Sequence, residues 1–336
     1  MLDVPFLLVI IVVVALIFDF TNGVHDCANA IATVVTTKVL SPQTAVVMAA
    51  SLNLVGALLG SEVAHTLGKG IVNTEVVMGS QILVLAALIG AIAWNLLTWY
   101  FGFPSSSSHA LIGGLIGAAV THSGFASLNS SSIGSKVILP LILSPLAGFA
   151  IAYAMTLMLQ FLLRKADRRT VNQRIQKVRI LSAAFMATSH GLNDAQKTMG
   201  VITLALFLFH QIGSIEVPFW VKLSCALAMG LGTAMGGWKI IKTMGNRITK
   251  LEMVNGLAAE TSASLIITGA SLIGAPISTT HTITACIFGT GSSKRLSAVR
   301  WELAANLALA WVVTIPASAL VAALFYSLLQ FGGVGK

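Results

Sequence analysis

Asn22-Gly23-Val24-His25-Asp26-Cys27-Ala28-Asn29-Ala30 has an altered second copy in His190-Gly191-Leu192-Asn193-Asp194-Ala195-Gln196-Lys197-Thr198. Asp26 and Asp194 are 168 residues apart. A second pair follows at an interval of 172: Pro104-Ser105-Ser106-Ser107-Ser108-His109 and Pro276-Ile277-Ser278-Thr279-Thr280-His281. Between them lies a weaker match at 177, Leu67-Gly68-Lys69-Gly70-Ile71 with Glu75 against Met244-Gly245-Asn246-Arg247-Ile248 with Glu252. Three matches in one order mark a duplicated chain. The Asp and Ser/Thr motifs all sit in apolar surroundings, where a carboxylate or a run of hydroxyls is costly and marks a path for something polar.

Composition excludes a soluble protein. Of 336 residues, 56% are hydrophobic and only 9% charged, against about 25% charged in soluble domains. With a mean hydropathy of +0.89, the chain reads as an all-α polytopic membrane protein whose first partner is the lipid bilayer. A net charge of +9 would suggest nucleic acid in a soluble chain. Here Arg164, Lys165, Arg168, Arg169, Arg174, Lys177 and Arg179 crowd around one acid, Asp167. No aromatic-basic platform accompanies them, so no nucleic acid is expected. Such a cluster belongs in the cytoplasm. Cys27, Cys225 and Cys286 show no C-x-x-C spacing, which leaves neither a disulfide framework nor a zinc site. The first apolar run lacks a basic leader and flows into the first motif, so it reads as a span and not a cleaved signal peptide.

A helix needs about 20 apolar residues to cross the hydrocarbon core. Candidate spans cover 4–37, 44–67, 76–100, 107–120 and 137–163, then 180–209, 217–241, 253–273, 279–291 and 301–329. The first of each half is expected to break, near 22–26 and near 190–194. The segments at 107 and 279 are short, re-entrant-type half-helices. The domains are then an N-terminal repeat, 1–163, a basic cytoplasmic linker, 164–179, and a C-terminal repeat, 180–336. Five crossings per half make the second repeat inverted relative to the first, the arrangement of many secondary transporters. The uncharged loop 121–135 then lies outside, as do both termini.

Asp26 and Asp194 have amide neighbours, Asn22 and Asn29 in the first copy, Asn193 and Gln196 in the second. Carboxylate, amide and backbone oxygens form a ligand set for a hard cation such as sodium. The Ser/Thr runs, Ser105 to Ser108 and Ser278 to Thr280, suit helix starts. Free N–H groups there bind anions, and hydroxyls add donors without charge. Two such starts facing each other would cage a small oxyanion. His25, His109, His190 and His281 flank these motifs and can line the path. So can Asn95, Glu260 and Lys197, the last with no basic mate in the first copy. It is either a counter-ion to a carboxylate or an interfacial side chain.

At these motifs the chain resembles the inorganic phosphate transporter (PiT) family, whose eukaryotic members are sodium–phosphate symporters. The likeness covers essentially the whole chain. Its most specific parts are the two aspartate signatures and the Ser/Thr-Ser/Thr-His runs after proline. His25 stands where the family usually has Asn, the signature from His190 to Gly200 is intact, and a short basic segment replaces the large central domain of longer relatives. The resemblance implies an inverted-repeat fold in the cell (inner) membrane. It also implies electrochemically driven uptake of phosphate, held by Ser105, Ser106, Ser107, Ser108, Ser278, Thr279, Thr280 and Asn193. Sodium, the coupling ion, would sit at Asp26, Asn29, Asp194, Asn22 and Gln196, with no other cofactor. Proton coupling, another oxyanion such as sulfate, and a homodimer stay open. An anion channel and an intramembrane serine hydrolase, using Ser108 with His109 and Asp26, are the competing classes. Duplication of every candidate residue argues against an enzyme, since one active site needs one set.

Overall fold

The computed structural model describes residues 4–77 and 80–334. Among them the named elements are all helical, and the only strand-like pairings are two isolated bridges, Val72 with Leu128 and Thr249 with Val299. The first half holds α1 (Val4–Thr36), α2 (Pro42–Leu58), α3 (Glu62–Gly70), the short α4 (Thr74–Val77), α5 (Gln81–Phe101) and α6 (Ser107–Ser123). A single turn, α7 (Ser130–Ser132), leads through a π-helical stretch into α8 (Leu139–Leu163). The second half holds α9 (Arg168–Leu208), α10 (Phe219–Met235), α11 (Trp238–Lys242), α12 (Met253–Leu272), α13 (Thr279–Ser292) and α14 (Trp301–Phe331). Residues 78–79 of the span expected at 76–100, and both chain termini, lie outside the described residues.

The expected breaks at 22–26 and 190–194 are absent: α1 and α9 run straight through both aspartate motifs. Their glycines serve close helix approach instead. A methyl on Gly23 would strike the Met229 carbonyl of α10, and one on Gly191 the Asn53 carbonyl of α2. Small residues at crossings are how membrane helices pack without a hydrophobic drive between them. The bends fall one element later, where α2 meets α3 at 69° and α10 meets the α11 segment at 61°. Gly236 at the second bend has φ +72°, a left-handed conformation that favours glycine. The expected linker 164–179 is likewise corrected. Only 164–167 connects α8 to α9, and the other basic residues lie on the first turns of α9. At 41 residues, α9 is about 60 Å long, roughly twice the hydrocarbon thickness, so an extended basic turn can stand beyond the core.

Contacts sort the helix ends into two groups. Tyr326 reaches both Ser80 and His122, and Asn129 bonds to Ile71, which puts the start of α5, the end of α6 and the serine-rich loop at one end. At the other, Asn255 bonds to Thr290, Arg300 to Ile248, and Lys294 pairs with Glu252. Thus α5–α6 and α12–α13 are helical hairpins, each returning to the end it entered from. This corrects the count of five crossings per half to three crossings and one hairpin. The parity is unchanged. The halves also exchange partners reciprocally: α2 packs on α9 and α10 on α1, while α6 packs on α14 and α13 on α8. Side chains such as Leu146, Leu162, Leu231, Val312, Leu320 and Leu324 face outward, a surface suited to lipid. Among the described residues, four helices are long and apolar enough to cross a membrane, or up to six if each bent pair counts as one span.

Candidate functional site

The two hairpin tips meet in the interior. Each turns near a glycine in the left-handed region, Gly102 (φ +70°) and Gly274 (φ +67°). Beyond the turn, Ser106 and Ser278 are the N-caps of α6 and α13, accepting from the His109 and His281 N–H groups at 3.2 Å. The next N–H groups, of Ser107, Ser108, Thr279 and Thr280, have no intrahelical acceptor by the geometry of any helix start. The His109 and His281 rings lie 4.6 Å apart, and His281 stacks on Trp311 at 4.0 Å. Trp311 Nε1 in turn donates to the Pro104 carbonyl at 3.1 Å, tying one tip to α14.

Asp26 on α1 and Asp194 on α9 project between the tips, 2% and 1% exposed. Thr280 donates to Asp26 Oδ1 at 3.3 Å and Thr279 to Asp194 Oδ2 at 2.8 Å. Asn29 Nδ2 donates to both hydroxyls, at 3.3 Å to Thr279 and 3.0 Å to Thr280. Each carboxylate also has an imidazole: His25 Nδ1 is 2.7 Å from Asp26 Oδ1, and His190 Nε2 is 2.9 Å from Asp194 Oδ2. One ligand atom each from Asp26, His190 and Asp194 falls within 4.8 Å of the others. Lys197 completes the cluster, donating to Asp194 Oδ1, to Ser108 Oγ and, at 2.8 Å, to the Ile277 carbonyl. It joins both tips to α9.

The remaining residues singled out by sequence take other partners or none. Ser105 donates to Thr98 at 2.9 Å and sits 3.4 Å from His25 Nε2. Ser107 Oγ is buried with no partner in the protein, as are Asn22 Oδ1 and both amide atoms of Asn95. Asn193 donates to Ser271 at 2.8 Å. Gln196 accepts from the Val63 and Ala64 N–H groups and donates to the Leu192 carbonyl. Its carboxamide thus caps the start of α3 at the bend. Several buried residues had no motif to announce them: Thr98 on His25, Asn53 on His190 at 3.1 Å, and Asp19, which accepts from Thr198 at 2.9 Å.

Glu260 lies elsewhere, in a second buried cluster toward the basic end. Arg179 Nη2 donates to Glu260 Oε1 at 2.7 Å, both side chains fully enclosed. Thr33 and Ser182 also donate to Glu260, and Arg179 Nη1 donates to Thr37. Outside this cluster opens a cavity of about 840 Å³, lined by Thr37, Met253, Leu163, Arg164, Glu252 and Lys294 among others. This cavity is a vestibule at the basic end, lined by none of the hairpin-tip residues. Thr37 and Met253, both in contact with Arg179, form part of its wall. By the repeat intervals, Arg179, Glu260, Thr33 and Thr37 correspond to Ile11, Leu88, Val201 and Ala205, all members of the apolar core. One end is closed by charge, the other by hydrocarbon.

Comparison with known proteins agrees with this arrangement. Residues 22–322 match the model of the phosphate transporter family. A "Probable low-affinity inorganic phosphate transporter" of Bacillus subtilis (strain 168) is 45% identical, over 96% of this chain and 97% of that protein. One of the same name from Rhizobium meliloti (strain 1021) is 47% identical over 95% and 96%. A solved structure, "The sodium-dependent phosphate transporter", superposes with a TM-score of 0.87 at 24% identity, over 97% of this chain and 99% of that one. With a family match spanning most of its length, this multi-pass membrane chain belongs to the phosphate transporter family.

Proposed function

We propose that the protein is a secondary active symporter that takes up inorganic phosphate together with a cation, by alternating access between two inverted repeats. The observation that carries this is the meeting of two capped helix starts around a buried, unpartnered Ser107 hydroxyl, beside two buried carboxylates. The N–H groups at Ser107, Ser108, Thr279 and Thr280 supply donors for a tetrahedral anion, and the dipole ends supply partial positive charge. Among the described residues no arginine enters the cage. Charge-assisted pairs are roughly twice as strong as neutral hydrogen bonds, so a mostly neutral cage lets go of its substrate more readily. The Thr279 and Thr280 hydroxyls are committed to the carboxylates in this structure. A cation on Asp26 or Asp194 frees them for phosphate, which couples the two ligands.

Sodium suits the Asp26 carboxylate and the Thr280 hydroxyl oxygen beside it. A second reading, proton coupling, is favoured by the imidazole already in contact with each carboxylate. Radiolabelled phosphate uptake into proteoliposomes, under a sodium gradient at fixed pH and then a pH gradient without sodium, separates the two. Accumulation above equilibrium is expected under one of them; purely downhill flux would make the protein a channel and overturn the reading. Ser107→Ala should leave stability within about 0.5 kcal/mol, because the hydroxyl has no protein partner. It should weaken phosphate binding about tenfold. Unchanged affinity would remove Ser107 from the cage.

The basic end faces the cytoplasm in this reading, and the serine-rich loop and both termini face outward. Single cysteines placed in 124–135 and in 164–167 should label with an impermeant thiol reagent from opposite sides of the membrane. Labelling from the same side defeats the inverted arrangement.

A further inference from the structure

We infer that the Lys197 ammonium is a built-in cation, tethered where the second repeat would otherwise take up an exchangeable one. The site then couples phosphate to one fewer cation than its two aspartates would allow. The inference rests on the symport reading above and adds the number of ions.

The first observation is the surroundings of Nζ. A carboxylate oxygen of Asp194, the Ser108 hydroxyl and the Ile277 carbonyl converge on it, and Lys197 is 2% exposed. Carboxylate, hydroxyl and backbone carbonyl together are the donor set of a small hard cation. Nζ occupies the point where such an ion would sit.

The repeat gives the second observation. The residue aligned with Lys197 is Asn29, whose amide reaches Thr279 and Thr280 on one tip much as Lys197 reaches Ser108 on the other. Thr280 is the repeat mate of Ser108, at the interval of 172. The two arms occupy equivalent places, one neutral and one charged. Asp26, beside the neutral arm, is met by His25 and Thr280 and by no lysine or arginine among the described residues.

Charge supplies the third. The formal charges of Asp26, Asp194 and Lys197, the charged side chains of this cluster, sum to minus one in a buried site, while Asp19 takes its hydrogen bond from Thr198 outside it. One exchangeable cation on the Asp26 side brings it to zero. Were residue 197 neutral, two would be needed. Burial makes this balance consequential, since an uncompensated charge is costly in a low-dielectric interior.

The test is equilibrium binding of radiolabelled inorganic phosphate to the purified full-length protein as sodium is varied at fixed pH. It compares wild type, Lys197→Asn and Lys197→Gln. By linkage, the slope of log affinity against log sodium counts the sodium ions taken up with phosphate. The slope in both variants should exceed the wild-type slope by one, whether the wild-type value is one or zero. At low sodium, phosphate affinity should fall by at least about thirtyfold in the variants and return at high sodium. In a readout that needs no phosphate, sodium should raise the melting temperature of the variants more than that of wild type. Equal slopes, or affinity lost at every sodium concentration, would make Lys197 a direct phosphate ligand or a structural tie and overturn the inference. If neither variant folds, wild type decides: a slope of one or zero agrees, and a slope of two overturns. A wild type that binds no phosphate defeats the symport reading, while the melting comparison still reports on the cation.

Discussion

Asp26→Asn should give a folded, inserted protein that takes up phosphate about a hundredfold more slowly than wild type under the same gradient. Asparagine keeps the shape of the side chain and can still face His25 and Thr280, but it cannot hold a cation. Asp194→Asn should behave differently. It leaves the Lys197 ammonium buried against Ser108 and the Ile277 carbonyl with its counter-charge gone. Removing one partner of a buried pair costs about 3–5 kcal/mol, so this variant should lose uptake and melt well below wild type. Adding Lys197→Met to Asp194→Asn should restore most of the stability and none of the transport. Melting in detergent and proteoliposome uptake check both. Wild-type uptake in Asp26→Asn would sink the cation site, and equal melting of the two single variants would sink the asymmetry.

Breaking the Arg179–Glu260 pair should have the next largest effect. Glu260→Gln strands a guanidinium that has no exposure, and Arg179→Met strands a carboxylate held otherwise only by Thr33 and Ser182. Each should destabilise by about 3–5 kcal/mol, while the double variant Arg179→Met/Glu260→Met should recover much of that, since well-packed apolar replacements of buried pairs are often neutral. The exposed Glu252–Lys294 pair at the same end gives the contrast. Its removal should shift stability by no more than about 1 kcal/mol. Melting curves of the four variants make the comparison. If the double variant is no better than the worse single one, shape and not charge balance holds this end closed.

Much of this was legible in the duplicated motifs, because a polar residue in an apolar helix needs a reason. The starts of α6 and α13 fall where the proline and hydroxyl runs place them. Reading Gly23 and Gly191 as breaks failed because glycine in a membrane helix also permits close approach, and only the partner helix distinguishes the two uses. The true bends at Gly60-Ser61 and Gly236-Gly237 fall outside the duplicated motifs, and Glu62 beside the first belongs to neither pair. Repetition also hid things. Asn53 corresponds to Met229, whose carbonyl meets Gly23 as that of Asn53 meets Gly191, and Asp19 to Ala187, so a search for matching pairs passes over both. Arg179 reads as the last member of a basic cluster, yet it alone of the cluster's described side chains points fully inward; that depends on where α9 meets α12, which no local pattern encodes.

The unbroken run of α9 has a mechanical meaning. It closely approaches α2 at Thr188 and Gly191, against Gly56 and Asn53. From Gly191 the rod extends three residues to Asp194 and twelve to Arg179 in the other direction, about 4.5 Å and 18 Å at the helical rise. A stiff rod tipping on that fulcrum magnifies displacement roughly fourfold between its arms. A shift of about 1 Å at Asp194 becomes about 4 Å at Arg179, more than enough to part an ion pair of 2.7 Å. A kink in α9 would have absorbed that motion; a continuous helix passes it on.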